Sequence, residues 1–440
     1  MSRKVVKFGG SSLASAEQFQ KVGEIIHADA DRRVVVPSAP GKRFDGDEKV
    51  TDMLYDCYAH VATDQDFTER LQHVRERYDE IIKGLGLDLD LSDEFKTIAE
   101  NFKNNIGVEY AASRGEYLNG IVLAKYLGYD FIDAFDVIFF HQNGRLDEDK
   151  TNRVMREVLS AHEKAVIPGF YGQREDGTVK TFSRGGSDIT GSIVARAMKA
   201  DVYENWTDVS GFLIADPRIV DNPARIETIT YTELRELAYM GASVLHEDSI
   251  FPVRKHGIPI NIRNTNHPED DGTWIVESTA RKSRYTVTGI AGKKGFCSVN
   301  IAKDYMNAEV GFVRKVLQAF EDQGISIEHI PSGIDTMAVF VHEDDFIDKE
   351  QAVVSGIHQL AKPDMLEIEA DLALIAVVGR GMKSQRGTAG RIFSALAHAH
   401  VNVRMIDQGS SELNIIIGVE NRDFETAIRA IYDIFVTTQM

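Results

Sequence analysis

Short runs of β-branched and other apolar residues alternate with longer stretches of mixed polarity through the first two thirds of the chain. The runs VVKF, RRVVVPSA, KAVIPGFYG, ADVYENWTD and IPINIRN, separated by segments of helix length, predict a parallel sheet covered by helices. Helices are plainest at Ser187–Lys199, where Ile189, Ile193 and Ala197 recur every fourth residue, and at Tyr231–Met240, with Thr230 and Thr232 as candidate caps. The acidic stretch from Asp64 to Lys103 predicts helices broken near GLGLDLDLSD.

Near residue 278 the texture changes: STARKSRY is polar and basic, and glycine-punctuated strands follow it. From Phe296 one pattern occurs twice. Strand FCSVNIA, helix AEVGFVRKVLQAFEDQG, strands ISIEHIPSG and TMAVFVHE, helix KEQAVVSGIHQL and strand MLEIEA are answered by LALIAVVG, TAGRIFSALAHAHV, NVRMIDQG, LNIIIGV and FETAIRAIYDIF. Each copy reads as a ferredoxin-like βαββαβ module, the first over about 296–370 and the second over about 372–440. The second copy lacks a last strand, and TVTGIAG, Thr286 to Gly292, is expected to supply it, threading the first module inside the second. The chain is thus read as α/β: a mainly parallel open sheet sandwiched by helices over 1–278, then two such modules over 286–440.

Composition narrows what such a chain can do. With 440 residues and 43% apolar content it can bury two or three cores. A formal net charge of -18 argues against a nucleic-acid or anionic-membrane surface, so a phosphate ligand must meet locally placed cations. Cys57 and Cys297 are too few for a disulfide framework or a cysteine zinc site, which fits a reducing cytoplasm. The most apolar window, FIDAFDVIFF, is short and carries two aspartates, and no membrane segment is expected.

Three stretches carry the candidate chemistry. In VKFGGSS, Val6 to Ser12, a strand ends, two glycines allow a sharp turn, and a helix begins near Ser11 or Ser12. Such a turn with Lys7 beside it suits a phosphate chain, and it equally suits a plain β–α turn with an exposed lysine. In FSRGGSDITG, Arg184 offers a fork to a carboxylate, Ser187 is a candidate cap, and Asp188 stands in the first helical turn to orient a cation. In WTDVSGFLIADPRIV, Thr207 and Asp208 can bond a purine or ribose and Arg218 can reach phosphates; an Asx turn ahead of a proline-led loop is the structural alternative. No Walker loop and no GxGxxG follows a strand.

In this order the stretches resemble the amino acid kinase superfamily, and specifically the aspartate kinases. VKFGGSS is similar to that family's KFGGTS, ASRGE (Ala112 to Glu116) to its S-x-G-E, SRGGSD to its GRGGSD, WTDVSGFLIADPR to its TDVDG and DPR, and GASVLH (Gly241 to His246) to its GAKVLH. The two repeats resemble ACT domains, the amino-acid-sensing modules that follow the kinase domain in that family. The resemblance implies an amino acid kinase fold and transfer of the γ-phosphoryl group of ATP to the side-chain carboxylate of L-aspartate, with Mg2+ arriving on ATP and no dedicated protein metal ligand.

By that resemblance Lys7 bridges the β- and γ-phosphoryl groups, and the Gly9 and Gly10 amides, with Ser11 beside them, hold the γ-group. Arg184 takes the α-carboxylate of aspartate, Glu116 its ammonium, and Asp188 orients the substrate or the lysine; Ser38, Thr51, Phe170 and Ser187 complete the substrate side. Thr207, Asp208, Leu213, Arg218 and Ser243 fall on the nucleotide side. Two of these depart from the family: Ser243 replaces a phosphate-reaching lysine, and Leu213 stands where a tyrosine often meets adenine. Pro37 adds a residue before the Ser38 loop.

In the ACT region the resemblance puts an amino-acid effector, lysine ahead of threonine, against Met306, Glu309, Gly311, Phe312 and Val313 on one side and Ile327 and Glu328 on the other. Paired modules imply a homodimer or tetramer. No Rossmann domain is expected after the repeats, hence no fused homoserine dehydrogenase. A sibling kinase acting on glutamate and a non-catalytic amino-acid sensor are the rival readings.

Overall fold

The computed structural model describes residues 3–183, 185–242, 245, 249–279 and 284–438; Arg184 and Ser243 lie outside the described residues. The chain divides into two compact units. One comprises residues 1–212, 227–231 and 243–279, the other 213–226, 232–242 and 280–440.

The first unit opens with Lys4–Phe8 (β1), Ala16–His27 (α1), Arg32–Pro37 (β2), Val50–Ala62 (α2), Thr68–Gly84 (α3), Ser92–Lys103 (α4) and Val108–Leu127 (α5). Asp130–Phe131 (β3), Ala134–Val137 (α6), Phe139–Phe140 (β4), Glu148–Ser160 (α7), Ala165–Val166 (β5), Tyr171–Arg174 (β6), Val179–Thr181 (β7), Gly186–Met198 (α8) and Val202–Thr207 (β8) follow. After Thr228–Thr230 (β9) the chain forms Tyr231–Tyr239 (α9), most of which belongs to the second unit, then Phe251–Arg254 (α10), Ile260–Asn264 (β10) and Thr273–Val276 (β11).

Eight strands form one open sheet in the order β3-β5-β2-β1-β8-β10-β11-β9, parallel at every step except β10 against β11. A strand in the middle of such a sheet is covered on both faces, which is why VVKF and RRVVVP read as continuous apolar runs. Val5, Val6 and Phe8 are fully buried, and Val6 and Phe8 share one core with Phe19, Leu54, Tyr78, Phe102 and Val122 of the covering helices. The central place of β1 leaves its carboxyl end, and the glycine turn that follows, at the crevice where open α/β sheets take ligands.

The second unit runs through Gly289–Ala302 (β12), Phe312–Glu321 (α11), Thr336–His342 (β13), Glu343–Phe346 (α12), Glu350–Leu360 (α13), Met365–Val378 (β14), Thr388–His398 (α14), Met405–Asp407 (β15), Asn414–Glu420 (β16) and Phe424–Tyr432 (α15). One antiparallel sheet, β13-β12-β14-β16-β15, serves both repeats. TVTGIAG and FCSVNIA, read as separate strands, run on as β12, and MLEIEA and LALIAVVG run on as β14. Ile290 pairs with Val377 and Gly289 with Val378, so the early segment lies against the second copy. The ladder shifts register around Phe296, beside Gly295 at φ +86°, and Asp371 at φ +64° sits at the matching point of β14.

ISIEHIPSG, expected as a strand, forms only isolated bridges, His329 to Phe340 and Ser332 to Met337. Both bridges share one register, and between them Pro331 accepts from Ala338 N–H but has no N–H to return, so the ladder is broken there. Among the described residues no helix is long and apolar enough to cross a membrane.

Candidate functional site

Lys7 faces the crevice from β1, paired in register with Val36 of β2 and Asn205 of β8. Its stem is buried and its Nζ lies 2.5 Å from Asp188 Oδ1. Asp188 is the third residue of α8, where the free N–H groups of the helix start favour a negative charge. Asn205, the cross-strand neighbour of Lys7, donates from Nδ2 to the same oxygen at 2.9 Å. Sequence reading missed Asn205, because only the strand register brings it beside Lys7.

The glycine turn differs from the expectation in one respect. The Gly9 N–H donates to the Trp206 carbonyl at 3.0 Å, closing β1 onto β8, so it is not available to a phosphate. Ser11–Leu13 form one 3-10 turn, with Ser12 and Leu13 donating to the carbonyls of Gly9 and Gly10. The N–H groups of Gly10 and Ser11 have no acceptor among the described residues, and both residues are partly accessible. The long helix starts later than expected, at Ala16, capped by Ser15.

The loop Ser38–Gly41 lies directly on this turn. Pro37 pairs with Phe8 inside β2, and Ser38 N–H donates to the Phe8 carbonyl at 3.0 Å, which settles the register at the added proline. Gly41 N–H donates to Gly10 O at 2.8 Å, and a methyl group on Gly41 would lie 2.6 Å from the Gly10 carbonyl carbon. Buried Arg77 holds the loop from below, donating to Gly41 O at 2.6 Å and to Asp47 at 2.7 Å. Hydrogen bonds from Arg43, with Arg77 behind it, hold the Asp47 carboxyl well below the usual carboxylate range. Asn119 Nδ2 secures the Ser38 carbonyl at 2.6 Å. Thr51, half-buried in the first turn of α2, caps nothing; the cap position is Lys49.

Glu116 enters from α5, a helix buried on nearly every side. Gly115 before it is needed because a methyl group there would stand 2.8 Å from Ala39 Cβ, and Tyr78 donates to the Gly115 carbonyl at 2.6 Å. The Glu116 side chain is buried, and its Oε2 has no hydrogen-bond partner among the described residues. Burial pushes its pKa up to about 8, against the pull of the Ala39 N–H and of the Lys7 and Arg114 charges. A carboxyl group in this state is matched to a cationic donor brought by a ligand.

Phe170 and Ser187 meet where β6 begins and α8 starts. Phe170 has φ +82°, a left-handed conformation rare for a bulky residue, fixed by bonds from its N–H to Thr190 Oγ1 at 3.0 Å and from Phe182 N–H to its carbonyl at 2.9 Å. A methyl group on Gly186 would strike the Phe170 ring at 2.4 Å, and one on Gly169 would strike Ser187 Oγ at 2.5 Å. Ser187 is therefore a packed residue; the cap of α8 is Gly185, at φ +59°, with no side-chain cap bond. Thr207 ends β8, accepting from Thr265 N–H, and its hydroxyl donates to exposed Asp208 at 3.1 Å.

Leu213 and Arg218 belong to the second unit. Leu213 bridges Arg225, and Arg218 closes an exposed Asx turn, its N–H 2.8 Å and its Nη2 2.6 Å from Asp216. That is the structural alternative the sequence had offered for DPR. Of the residues expected to meet an effector, Met306 and Phe312 are buried, Val313 is exposed, Ile327 is half-buried, and Gly311 caps α11 at φ +81°. Glu309 is held by Lys303 at 2.6 Å and Lys315 at 2.7 Å, which brings it down to about 2. Glu328 accepts from the Tyr239 hydroxyl at 2.6 Å. Both acids in this region therefore already have partners.

Comparison with known proteins extends beyond these motifs. The amino acid kinase family model matches residues 2–264, and an ACT domain model matches residues 375–435. Aspartokinase 3 of Bacillus subtilis (strain 168) is 39% identical, covering 98% of this chain and 98% of its own length. The crystal structure of Clostridium acetobutylicum aspartate kinase, described as an allosteric enzyme, superposes with a TM-score of 0.90 at 51% identity, covering 99% of this chain and 100% of that one. Escherichia coli aspartokinase III, crystallised with aspartate and ADP, shares the fold at 23% identity with a TM-score of 0.72, covering 98% of this chain and 99% of its own.

Proposed function

The chain belongs to the aspartate kinases of the amino acid kinase family, and from that premise we propose how its own residues perform the reaction. The enzyme transfers the γ-phosphoryl group of ATP to the side-chain carboxylate of L-aspartate, giving 4-phospho-L-aspartate, the entry to lysine, threonine and methionine biosynthesis, under control of its ACT region.

The acceptor carboxylate is ionised at neutral pH, its free pKa being about 3.9, so no general base is required. What must be supplied is alignment of two anions and positive charge along the transferring group. Lys7, oriented by Asp188 and Asn205, bridges the β- and γ-phosphoryl oxygens. The Gly10 and Ser11 amides, in place of the Gly9 amide, receive the γ-oxygens. Glu116 takes the ammonium of aspartate; the incoming cation supplies the partner that Oε2 lacks and draws the carboxyl into its charged form. Arg184 takes the α-carboxylate, with Ser38, Thr51, Phe170 and Ser187 around the substrate and Thr207 and Asp208 toward the nucleoside.

Leu213, Arg218 and Ser243 complete the nucleotide side in this reading, and Mg2+ arrives with ATP, retaining most of its waters. Lysine, with threonine second, is the proposed effector at Met306 to Val313 and Ile327 to Glu328, and pairing of ACT modules makes at least a dimer. The protein is proposed to act in the cytoplasm.

The observation that carries the catalytic reading is a buried lysine paired to a helix-start aspartate, with a buried carboxyl group in the same crevice whose Oε2 has no partner among the described residues. The test is Mg-ATP-dependent acyl phosphate formation from L-aspartate, trapped with hydroxylamine as the hydroxamate. Aspartate-specific product that disappears in Lys7→Ala is expected. Product from Lys7→Ala at the wild-type rate overturns the role of Lys7, and ligand binding without product moves the protein to the sensor class.

A further inference from the structure

Two residues before Glu116, α5 carries a second buried charge. Arg114 is 7% exposed, and its guanidinium carbon lies 4.6 Å, 4.4 Å and 5.3 Å from the ring centroids of Tyr110, Tyr117 and Tyr171. Its Nε and Nη2 donate to Ser113 Oγ at 3.1 and 3.0 Å, and no carboxylate pairs with it among the described residues. Asp133, whose charge acts on Tyr117 and Tyr171, already accepts from the Tyr171 hydroxyl at 2.6 Å and from Phe135 N–H at 2.9 Å.

A buried cation is usually neutralised by an acid. Three aromatic faces stabilise it differently: each ring contributes about 0.5–2 kcal/mol through its quadrupole while leaving the net charge in place. The field of Arg114 therefore persists into its surroundings, and those surroundings are the amino-acid end of the site. Tyr117 adjoins Glu116, and Tyr171 directly follows Phe170 at φ +82°.

Among the described residues, the groups that face Glu116 include Lys7 from β1, Tyr55 from α2, Tyr78 from α3, the Ala39 N–H from the loop, and Arg114 from its own helix. Only Lys7 and Arg114 among them carry positive charge, and Lys7 already neutralises Asp188. We propose that Arg114 is a positioning residue for the amino-acid end of the substrate: its caged cation supports the negative charge of Glu116 and ties the Glu116 helix to the Phe170–Tyr171 turn. The inference rests on the reading that Glu116 receives the ammonium of aspartate.

The experiment uses the full chain with Arg114→Met, Arg114→Lys and Glu116→Gln, measuring kcat and KM for aspartate and for ATP from about pH 6 to 10, a window that brackets the Glu116 titration. Arg114→Met is expected to raise the aspartate KM about tenfold, the size of one lost charge-assisted contact, with the ATP KM within about twofold of wild type. The acidic limb of kcat/KM for aspartate should move to higher pH, since losing a nearby positive charge makes Glu116 harder to ionise. Arg114→Lys, which keeps charge within the cage, should return the limb to its wild-type position. A wild-type limb in Arg114→Met, or aspartate and ATP KM rising together, overturns the inference. Should Arg114→Met fail to fold, a displaced limb in Arg114→Lys overturns it as well. Glu116→Gln separates the two layers: an unchanged aspartate KM there removes the assignment of Glu116 itself, whatever Arg114 does.

Discussion

A carboxyl group whose burial on folding outweighs the partners it gains resists ionisation, and Glu116 bears the consequence in the stability of the free enzyme. Its folded pKa is raised from 4.5 to about 8 by burial, so between those values the folded chain holds a proton that the unfolded chain has lost. Its contribution is fully present below about pH 4.5 and is lost as pH rises through about 8. Glu116→Gln cannot ionise. Its unfolding temperature relative to wild type is therefore expected to climb from about pH 4.5 to about 8 and stay level above, in melts without substrate. Saturating aspartate should narrow the gap by bringing an ammonium to the carboxylate. A gap that closes as pH rises would mean the side chain is ionised when folded. Lys7 and Asp188 were legible in the sequence because each stands beside a glycine turn, and Glu116 because it ends the ASRGE stretch, although that stretch lies within α5. Asn205 and Arg114 were not, since one acts through strand register and the other through rings drawn from two separate elements.

The same limit holds for whole elements. The alternation of apolar runs and helical stretches foretold the parallel sheet, and the doubled pattern foretold the second unit, because both are local periodicities. ISIEHIPSG failed as a strand because one proline removes a donor from an otherwise constant register. The contact between the Gly9–Ser11 turn and the Ser38–Gly41 loop was likewise invisible, joining residues some thirty positions apart. It carries a sharp prediction. A methyl group on Gly41 meets backbone, 2.6 Å from Gly10 C and 2.8 Å from Ser11 N, so nothing flexible can yield. Gly41→Ala is expected to displace the Gly10 and Ser11 amides, raising the ATP KM and lowering kcat at least about tenfold while circular dichroism stays native. Gly46→Ala is the control: at φ +91° it is strained but meets open space, so it should cost stability and leave the ATP KM unchanged. Equal kinetic losses in both would remove the turn's role.

At the scale of the molecule, two strands decide how the regulatory unit behaves. β12 and β14, fourteen residues each, run through both repeats, so neither repeat can melt without breaking a ladder of the other. Hydrogen exchange should show amides of 296–302 and 372–378 opening together, and separate opening of the two would contradict a shared sheet. This unit also takes in residues 213–226 and the body of α9, which hold Leu213 and Arg218 of the proposed nucleotide side. Ile290 N–H donates to Ile214 O, the Tyr432 hydroxyl accepts from Ala224 N–H at 2.9 Å, and fully buried Glu233 on α9 accepts from Arg380 at 2.8 Å and Thr288 at 2.6 Å. If Leu213 and Arg218 serve the nucleotide as proposed, an effector bound to this unit is expected to change the ATP KM more than the aspartate KM. Glu233→Gln keeps the shape and removes the charge facing Arg380, a change that costs about 3–5 kcal/mol when a buried pair loses one partner. It is expected to lower the unfolding temperature and to shrink the factor by which lysine or threonine, whichever inhibits wild type, raises the ATP KM. kcat at saturating substrates should stay within about twofold, because Glu233 touches no reacting group. Full inhibition in a destabilised Glu233→Gln protein would show that the pair holds α9 in place without transmitting anything through it.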